Sequence, residues 1–481
     1  MVHRRARLVG ISLRGQLAAS LEALRHALDL PDTYPPEAQA EAERAARAVP
    51  VDPAASGLAD LREIEFLTID PVGSTDLDQA VHLERTATGG ILHYAIADVP
   101  AFVTPDGALD VETRRRGQTL YAPDGRIPLH PEVLSEGAAS LLPEQDRRAY
   151  VWRFVLDDGA RPTETTITRA IVRSRRQWSY SEAQEAIDAG TAPATLAALP
   201  WFGAARAERE RERGGASLNI PETRVVDRGG AGGGYALERT YGVPLEDWNA
   251  DVSLLTGMAA ADIMIRGRVG ILRTMPPARS EDVEEFRAHT VALGMPWPAD
   301  VAYGDYLRTL DRSPAARAVR EYAAGLFRGA GYVVFDGDPP MQTTQAAIGA
   351  PYAHTTAPLR RLVDRWSLVI CDALANGREV PRWARESLDQ LPKIMASSSA
   401  RAGQLDAGSV DRVEAALLTG HLGETYDAVV VSRRGDGARI QLTEPPAEAT
   451  VTGLDAQPGS TVRVRLTAAS ISDGTVEFTP A

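Results

Sequence analysis

A chain of 481 residues is long for one core, so two or three domains are expected, the largest with a substantial interior. With 44% apolar and 24% charged residues, and no run near the roughly 20 apolar residues a membrane span needs, the composition is that of a soluble globular protein and excludes a membrane-spanning class. The net charge of -13 speaks against a generally basic nucleic-acid coat, although it does not fix the sign of charge inside one channel.

Cys371 is the only cysteine, which excludes an internal disulfide and a thiolate-clustered zinc site and favours a packing role. The 52 Lys+Arg residues include a single lysine, Lys393. Compositional bias accounts for this, yet arginine forks suit phosphate wherever they line a groove. The opening "MVHRRARLVGISLRGQLAASLEALRHAL" lacks the compact apolar stretch and small-residue cleavage site of a secretory signal, so a cytoplasmic location is expected.

In chain order, "LRGQLAASLEALRHALDL" carries apolar residues at helical spacing, "PDTYPP" breaks it, and "EAQAEAERAARAV" forms a second helix. After the linker-like "PVDPAASG" the pattern turns to strands: "IEFLTID", "AVHLER" and "ILHYAIADV", with "TATGG" as a turn. Strand texture continues through "RAYVWRFVLDDGARPTETTITRAIVRSR", where "DDG" marks a hairpin. "SYSEAQEAIDAG" opens with a serine cap, and "PWFGAARAERERERGG" ends on two glycines. "RGGAGGG" lacks the Gly-Lys-Ser/Thr ending of a phosphate loop and reads as a hairpin tip. Helices are expected to dominate from "LEDWNADVSLL" to about Gly423. Five short strands then give the texture of a small barrel such as an OB fold.

The chemistry concentrates in "FLTIDPVGSTDLDQAV", Phe66 to Val81. Extended backbone places Asp76 and Asp78 on one face with Leu77 on the other, and Asp70 can fold back beside them across the turn. Three neighbouring carboxylates repel unless protons or cations compensate, and hard oxygen ligands suit Mg²⁺ or Mn²⁺ in phosphoryl transfer. Aspartates also cap turns, so a structural trio stays open. A haloacid-dehalogenase-type nucleophile at Asp76 is disfavoured, because "PVGST" rather than a buried apolar strand precedes it.

"TIDPVGSTDLDQAV", "YAIADVPAFVTPDGALDVETRRRGQTLYAPDGRIPLHPEVLSEGAASLLP", "IVRSRRQWSYSEAQEAI" and "APYAHTTAPLRRLVDRWSL" together resemble, in order and at suitable separations, the RNase II (RNB) family of 3'-to-5' exoribonucleases over roughly residues 61–423. The resemblance implies an α+β fold: a mixed α/β RNB-type catalytic domain (61–423), a helical N-terminal region (1–60) and a C-terminal OB-fold RNA-binding barrel (424–481). It implies Asp70, Asp76 and Asp78 as metal carboxylates, with Asp78 most directly catalytic, and Arg360 as the contact to the scissile phosphate. Tyr121 matches the aromatic residue that stacks on the terminal base. Arg361 and Asp364 are supporting candidates for which a structural role is equally open. His354 can touch RNA or fill a polar turn, and the acid expected before the last helix is Asp406 or Glu414.

Departures from the family pattern carry their own expectations. Gln79 takes the fourth aspartate's place; its amide oxygen can still coordinate a metal, without a charge. Weaker Mg²⁺ binding than in a Gln79→Asp variant follows. No aromatic residue stands near "GGASLNIPE" for the family's second clamp, and Ser253 falls where its acidic ribose contact belongs, so looser RNA-over-DNA selection is expected. Paired N-terminal cold-shock barrels give way to the helical region. The barrel segment holds five arginines and eight acids, so an RNA face there is local, at Arg433, Arg434, Arg463 and Arg465.

The leading expectation is a Mg²⁺- or Mn²⁺-dependent monomeric exoribonuclease degrading single-stranded RNA to 5'-mononucleotides. A non-catalytic RNA-binding protein on a degenerate scaffold is the alternative, motivated by Gln79. A small-molecule phosphatase, indifferent to RNA length, is a third class.

Overall fold

The computed structural model describes residues 11–216, 222–227, 235–240 and 242–481. Two helices lead, α1 (Ile11–Ala27) and α2 (Pro36–Ala48), the second opening on Pro36, where a missing N–H costs no helical bond. A one-turn α3 (Pro53–Ser56) is capped by Asp52, which accepts from the N–H groups of Ala54 and Ala55.

The central sheet is built from β1 (Ala59–Asp60), β2 (Phe66–Asp70), β3 (Gln79–Thr86), β4 (Gly89–Ala97), β7 (Asp146–Asp157) and β8 (Pro162–Ser179), in the order β1-β8-β2-β3-β4-β7. The long β8 also pairs with β7, curling the sheet round on itself. Between β4 and β7 lie α4 (Ala108–Arg116) and a small hairpin, β5 (Leu120–Ala122) and β6 (Gly125–Ile127). One sheet face buries Tyr94, Tyr150, Trp152 and Phe154 against helical residues Leu199, Phe202, Val252 and Trp366. The other packs Leu77, Ala80, Ala95 and Val151 against Phe102, Leu359 and Ala42 of α2. The turns expected at "TATGG" and "DDG" connect β3 to β4 and β7 to β8.

Helix α5 (Tyr180–Asp188) has a capping box between Ser179 and Glu182, and α6 (Ala194–Arg213) stops at Gly214, whose φ of 73° suits glycine. Strands β9 (Glu222–Asp227) and β10 (Tyr235–Thr240) pair antiparallel; the expected glycine tip between them lies outside the described residues. After α7 (Pro244–Gly267) the structure departs from the expected run of helices. Strand β11 (Val269–Thr274) pairs with β12 (Gly331–Asp336), and three helices, α8 (Ser280–Ala292), α9 (Tyr303–Thr309) and α10 (Pro314–Ala324), fold between them around Phe286, Tyr306 and Val319. The pairing brings together segments too far apart for a local pattern to register. A short pair, β13 (Thr344–Gln345) and β14 (Ala350–Pro351), precedes α11 (Leu362–Ala375), α12 (Arg382–Glu386) and the long α13 (Leu391–Leu418).

The last segment is a five-stranded, nearly closed β-barrel: β15 (Thr425–Arg434), β16 (Gly437–Leu442), β17 (Glu448–Thr452), β18 (Thr461–Ser470) and β19 (Thr475–Pro480), ordered β17-β16-β15-β18-β19 with the outer two in contact. The α+β expectation therefore holds, a mixed α/β domain with N-terminal helices and a C-terminal small barrel. Among the described residues the N-terminal helices bury no core of their own. Leu17 and Leu21 join the barrel core with Val413 and Leu417 of α13, while Ala42 joins the sheet. Among the described residues no helix is long and apolar enough to cross a membrane.

Candidate active site

Asp70 ends β2, where parallel pairing places it level with Ser179 of β8, just before Tyr180 begins α5. The chain then turns through Pro71–Thr75 and enters β3 with Leu77 fully buried, so its neighbours Asp76 and Asp78 face away from that core. Backbone bonds fix the stretch on both sides. Leu77 N donates to Ser140 Oγ at 2.9 Å, and the Asp78 carbonyl accepts from Ala97 N at 2.9 Å.

Asp78 is 5% exposed and meets the loop preceding α11. Its Oδ1 accepts the Leu359 N–H at 2.7 Å, and Arg360 Nε lies 3.3 Å from Oδ2. Burial pushes its carboxyl up to about 8 against the pull of Arg360. Burial likewise raises Asp70 to about 7, with Arg360 opposing and Asp76 adding repulsion. Asp76 turns elsewhere: Oδ1 pairs with Arg126 Nη1 at 2.7 Å, and the Tyr121 hydroxyl stands 3.5 Å from Oδ2. Asp78 thus meets Arg360 directly and Asp76 is held by the β5–β6 hairpin, while Asp70 is influenced by Arg360 and Asp76 through their charges. Among the described residues no three His, Cys, Asp or Glu side chains are gathered closely enough to form a metal shell. The chemistry of the donors nevertheless fits a hard divalent cation, since two desolvated carboxylates held high enough to keep their protons near neutrality are stabilised as anions by such an ion.

Tyr121 is 52% exposed on β5, with its cross-strand partner Arg126 on β6. Arg126 also reaches Thr75 Oγ1 at 2.8 Å and Glu136, so one guanidinium ties the hairpin to the aspartate turn. The hairpin is stitched to the arginine loop as well: Thr119 N donates to the Arg360 carbonyl and Leu362 N to the Gly117 carbonyl. His130, 2% exposed, donates from Nδ1 to the Leu359 carbonyl at 3.0 Å, and burial holds its ring neutral by lowering it to about 4.

Arg360 is exposed while Arg361 turns inward, pairing both ways with the fully buried Asp364 at 2.8 and 3.0 Å; Asp364 Oδ1 also accepts Ala357 N. His354 Nδ1 meets the Tyr332 hydroxyl at 2.7 Å, and burial beside Arg361, Arg273 and Arg360 drives the ring well below its usual range, leaving it neutral. Helix α7 comes close because Gly257 has no side chain, as a Cβ there would stand 2.1 Å from the Tyr352 ring. Its Ser253 bonds the buried Tyr94 hydroxyl at 2.8 Å, and that hydroxyl donates to Gln79 Oε1 at 2.8 Å.

Asp406 is exposed on α13, whereas Glu414 is 4% exposed and accepts Glu448 N at 3.0 Å under the barrel. Sequence reasoning missed Arg126, His130, Tyr94 and Thr356. Arg126 had one available signal, its place across a three-residue hairpin strand from Tyr121.

Comparison with known proteins follows the same lines. Residues 58–370 match the RNB domain and residues 424–481 the RNase II-type exonuclease C-terminal S1 domain. The chain belongs to the RNB family. Ribonuclease R of Vibrio cholerae is 25% identical over 447 residues, covering 86% of this chain and 53% of that protein. Ribonuclease R of Acidithiobacillus ferrooxidans is 39% identical over 153 residues, 32% of this chain and 35% of that protein. The chain thus spans about half the length of the Vibrio relative. In fold it is similar to Mycoplasma genitalium RNase R in complex with ribose methylated single-stranded RNA, with a TM-score of 0.86 at 17% identity, over 97% of this chain and 78% of that one.

Proposed function

We propose that this protein is a divalent-metal-dependent 3'-to-5' exoribonuclease that hydrolyses single-stranded RNA to 5'-mononucleotides. The observation that carries the reading is the meeting of Asp78 with Leu359 N–H and Arg360, beside an exposed Tyr121. Family membership and the single-stranded RNA bound by the Mycoplasma RNase R support RNA as the substrate.

In this reading Tyr121 stacks on the 3'-terminal base and sets the depth of the strand. Arg360 neutralises charge gathering on the scissile phosphate, its Nε kept near Asp78 and its Nη groups left for phosphate oxygens. Asp70, Asp76 and Asp78 would hold Mg²⁺ or Mn²⁺, which when bound would supply charge neutralisation and activation of water. Water attacks phosphorus, the 3'-oxygen of the shortened RNA leaves with a proton, and the phosphate departs on the released nucleotide. Arg361 and neutral His354 shape the loop behind Arg360. On the barrel, Arg463 and Arg465 lie along one face of β18 and offer upstream phosphate contacts, Arg463 from a loose 3.7 Å pairing with Asp427; Arg433 is engaged with Asp455 at 2.7 Å.

A time course on 5'-labelled single-stranded RNA, with Mg²⁺, with EDTA, and with Asp78→Asn protein, tests the reading. A ladder shortening from the 3' end only for native protein with metal is expected. Intact RNA that is retained on a native gel would instead assign the non-catalytic binding role.

A further inference from the structure

The position where the resemblance puts a fourth aspartate holds a side chain with both ends of its amide engaged. Gln79 Nε2 donates to the Thr356 carbonyl at 2.6 Å, and Oε1 accepts from the Tyr94 hydroxyl at 2.8 Å. The carbonyl only accepts, so the NH₂ edge must face it and the oxygen is left for the hydroxyl. Tyr94 and Thr356 are 1% and 2% exposed, which makes these partners expensive to lose. Gln79 and Tyr94 share a sheet face through the β3–β4 register, in which Gln79 lies opposite Ile96 and Val81 opposite Tyr94.

The amide bridges 277 positions of sequence at a critical junction. On one side it adjoins Asp78. On the other it holds the start of the loop that presents the Leu359 N–H and Arg360 to that same carboxylate. An aspartate here has no donor for the Thr356 carbonyl, is one methylene shorter, and would set a carboxylate oxygen against a carbonyl oxygen. Ser253 follows the same logic. It shares the Tyr94 hydroxyl at 2.8 Å, where an acid would bring a buried negative charge beside Gln79. The two departures from the family pattern, at 79 and 253, meet on one hydroxyl.

We propose that Gln79 is a positioning residue that fastens the Asp78 strand to the Arg360 loop, with Tyr94 and Ser253 completing the connection, and that it is not a metal ligand. The activity arm of this proposal rests on the exoribonuclease reading; its metal-binding and stability arms do not. It reverses what sequence implies for Gln79→Asp, which now loses turnover for want of the Thr356 bond.

The test compares the native chain with Gln79→Ala, Gln79→Asp, Tyr94→Phe and the Gln79→Ala/Tyr94→Phe double variant. Mn²⁺ binding is followed without RNA by the electron paramagnetic resonance of free Mn²⁺, thermal unfolding is measured in EDTA, and single-turnover rates are taken over a range of RNA concentrations. Gln79→Ala is expected to bind Mn²⁺ within about twofold of native. It should lose about tenfold or more in maximal rate with half-saturating RNA little changed, the mark of misplaced chemistry rather than lost binding. Tyr94→Phe should move the same way, and the double variant should lose less in rate and melting temperature than the two single losses together. A tenfold weakening of Mn²⁺ binding in Gln79→Ala would make Gln79 a ligand and overturn the proposal, as would a Gln79→Asp protein at least as fast as native. Native protein that turns over no RNA would defeat the exoribonuclease reading alone. The Mn²⁺ comparison and the melting coupling would still decide the role of Gln79, with additive melting losses counting against it.

Discussion

Leu359 donates its backbone N–H to Asp78 Oδ1 at 2.7 Å, across 281 positions of sequence. A main-chain donor survives every substitution except proline, so this carboxylate is held by the fold itself while Oδ2 is left to Arg360 at 3.3 Å. The arrangement separates two roles that a single ion pair would merge: the N–H orients Asp78, and the exposed arginine can swing to a phosphate without releasing it.

Asp78→Asn keeps an acceptor for Leu359 N–H and removes the charge. The variant is expected to fold with a near-native melting temperature, retain single-stranded RNA and lose turnover. Arg360→Lys keeps the charge but not the planar fork, and about 10²-fold in maximal rate should go with it. Rates on labelled RNA, beside gel retention, check both; a fast Arg360→Lys protein would reduce the arginine to a simple counter-charge.

Tyr121 stands 52% exposed on a hairpin whose other strand pins Asp76 through Arg126. Removing the ring in Tyr121→Ala should weaken binding of a short single-stranded RNA by about 1–3 kcal/mol, as expected for one base stack, and Tyr121→Phe should restore nearly all of it. Fluorescence anisotropy in EDTA measures this without turnover. Arg126→Gln serves as the companion variant, expected to lower the rate through Asp76 while leaving base stacking in place.

What the sequence made legible follows the range of the interactions involved. Asp70, Asp76, Asp78, Tyr121 and Arg360 sit in short stretches whose spacing survives in any fold, and the barrel strands announce themselves by even alternation. The split of the aspartate trio was not legible, because it depends on which carboxylate meets Arg126 and which meets Leu359. Nor was the β11–β12 pair, whose strands are separated by three helices. Gln79 shows the limit most sharply. As a letter it is an aspartate without its charge, whereas the Thr356 and Tyr94 bonds are specific to an amide.

Asp98, fully buried just after β4, accepts from Arg169 Nη2 at 2.6 Å and Arg148 Nε at 3.3 Å. Arg148 is itself 8% exposed, so Asp98→Ala strands a buried cation. About 3–5 kcal/mol of stability should be lost, read as a lower urea midpoint. A loss below about 1 kcal/mol would mean that water reaches Arg148 once the carboxylate has gone.

Glu414 makes the junction between α13 and the barrel sensitive to pH. Burial pushes its carboxyl from 4.5 up to about 8, with Glu448 and Asp411 reinforcing the shift and Arg439 and the Glu448 N–H opposing it. Between those values the folded chain holds a proton that the unfolded chain has released, so unfolding free energy falls as pH rises. The contribution is complete below about pH 4.5 and is lost as pH passes through about 8. Glu414→Gln keeps the acceptor for Glu448 N–H and removes the titration. Its melting temperature relative to native should therefore be higher at pH 9 than at pH 6, with the gap opening from pH 6 to about pH 8 and levelling off above that. A difference that stays constant from pH 6 to pH 9 would mean that Glu414 is ionised in the folded chain, stabilised by Arg439 more than burial disfavours it.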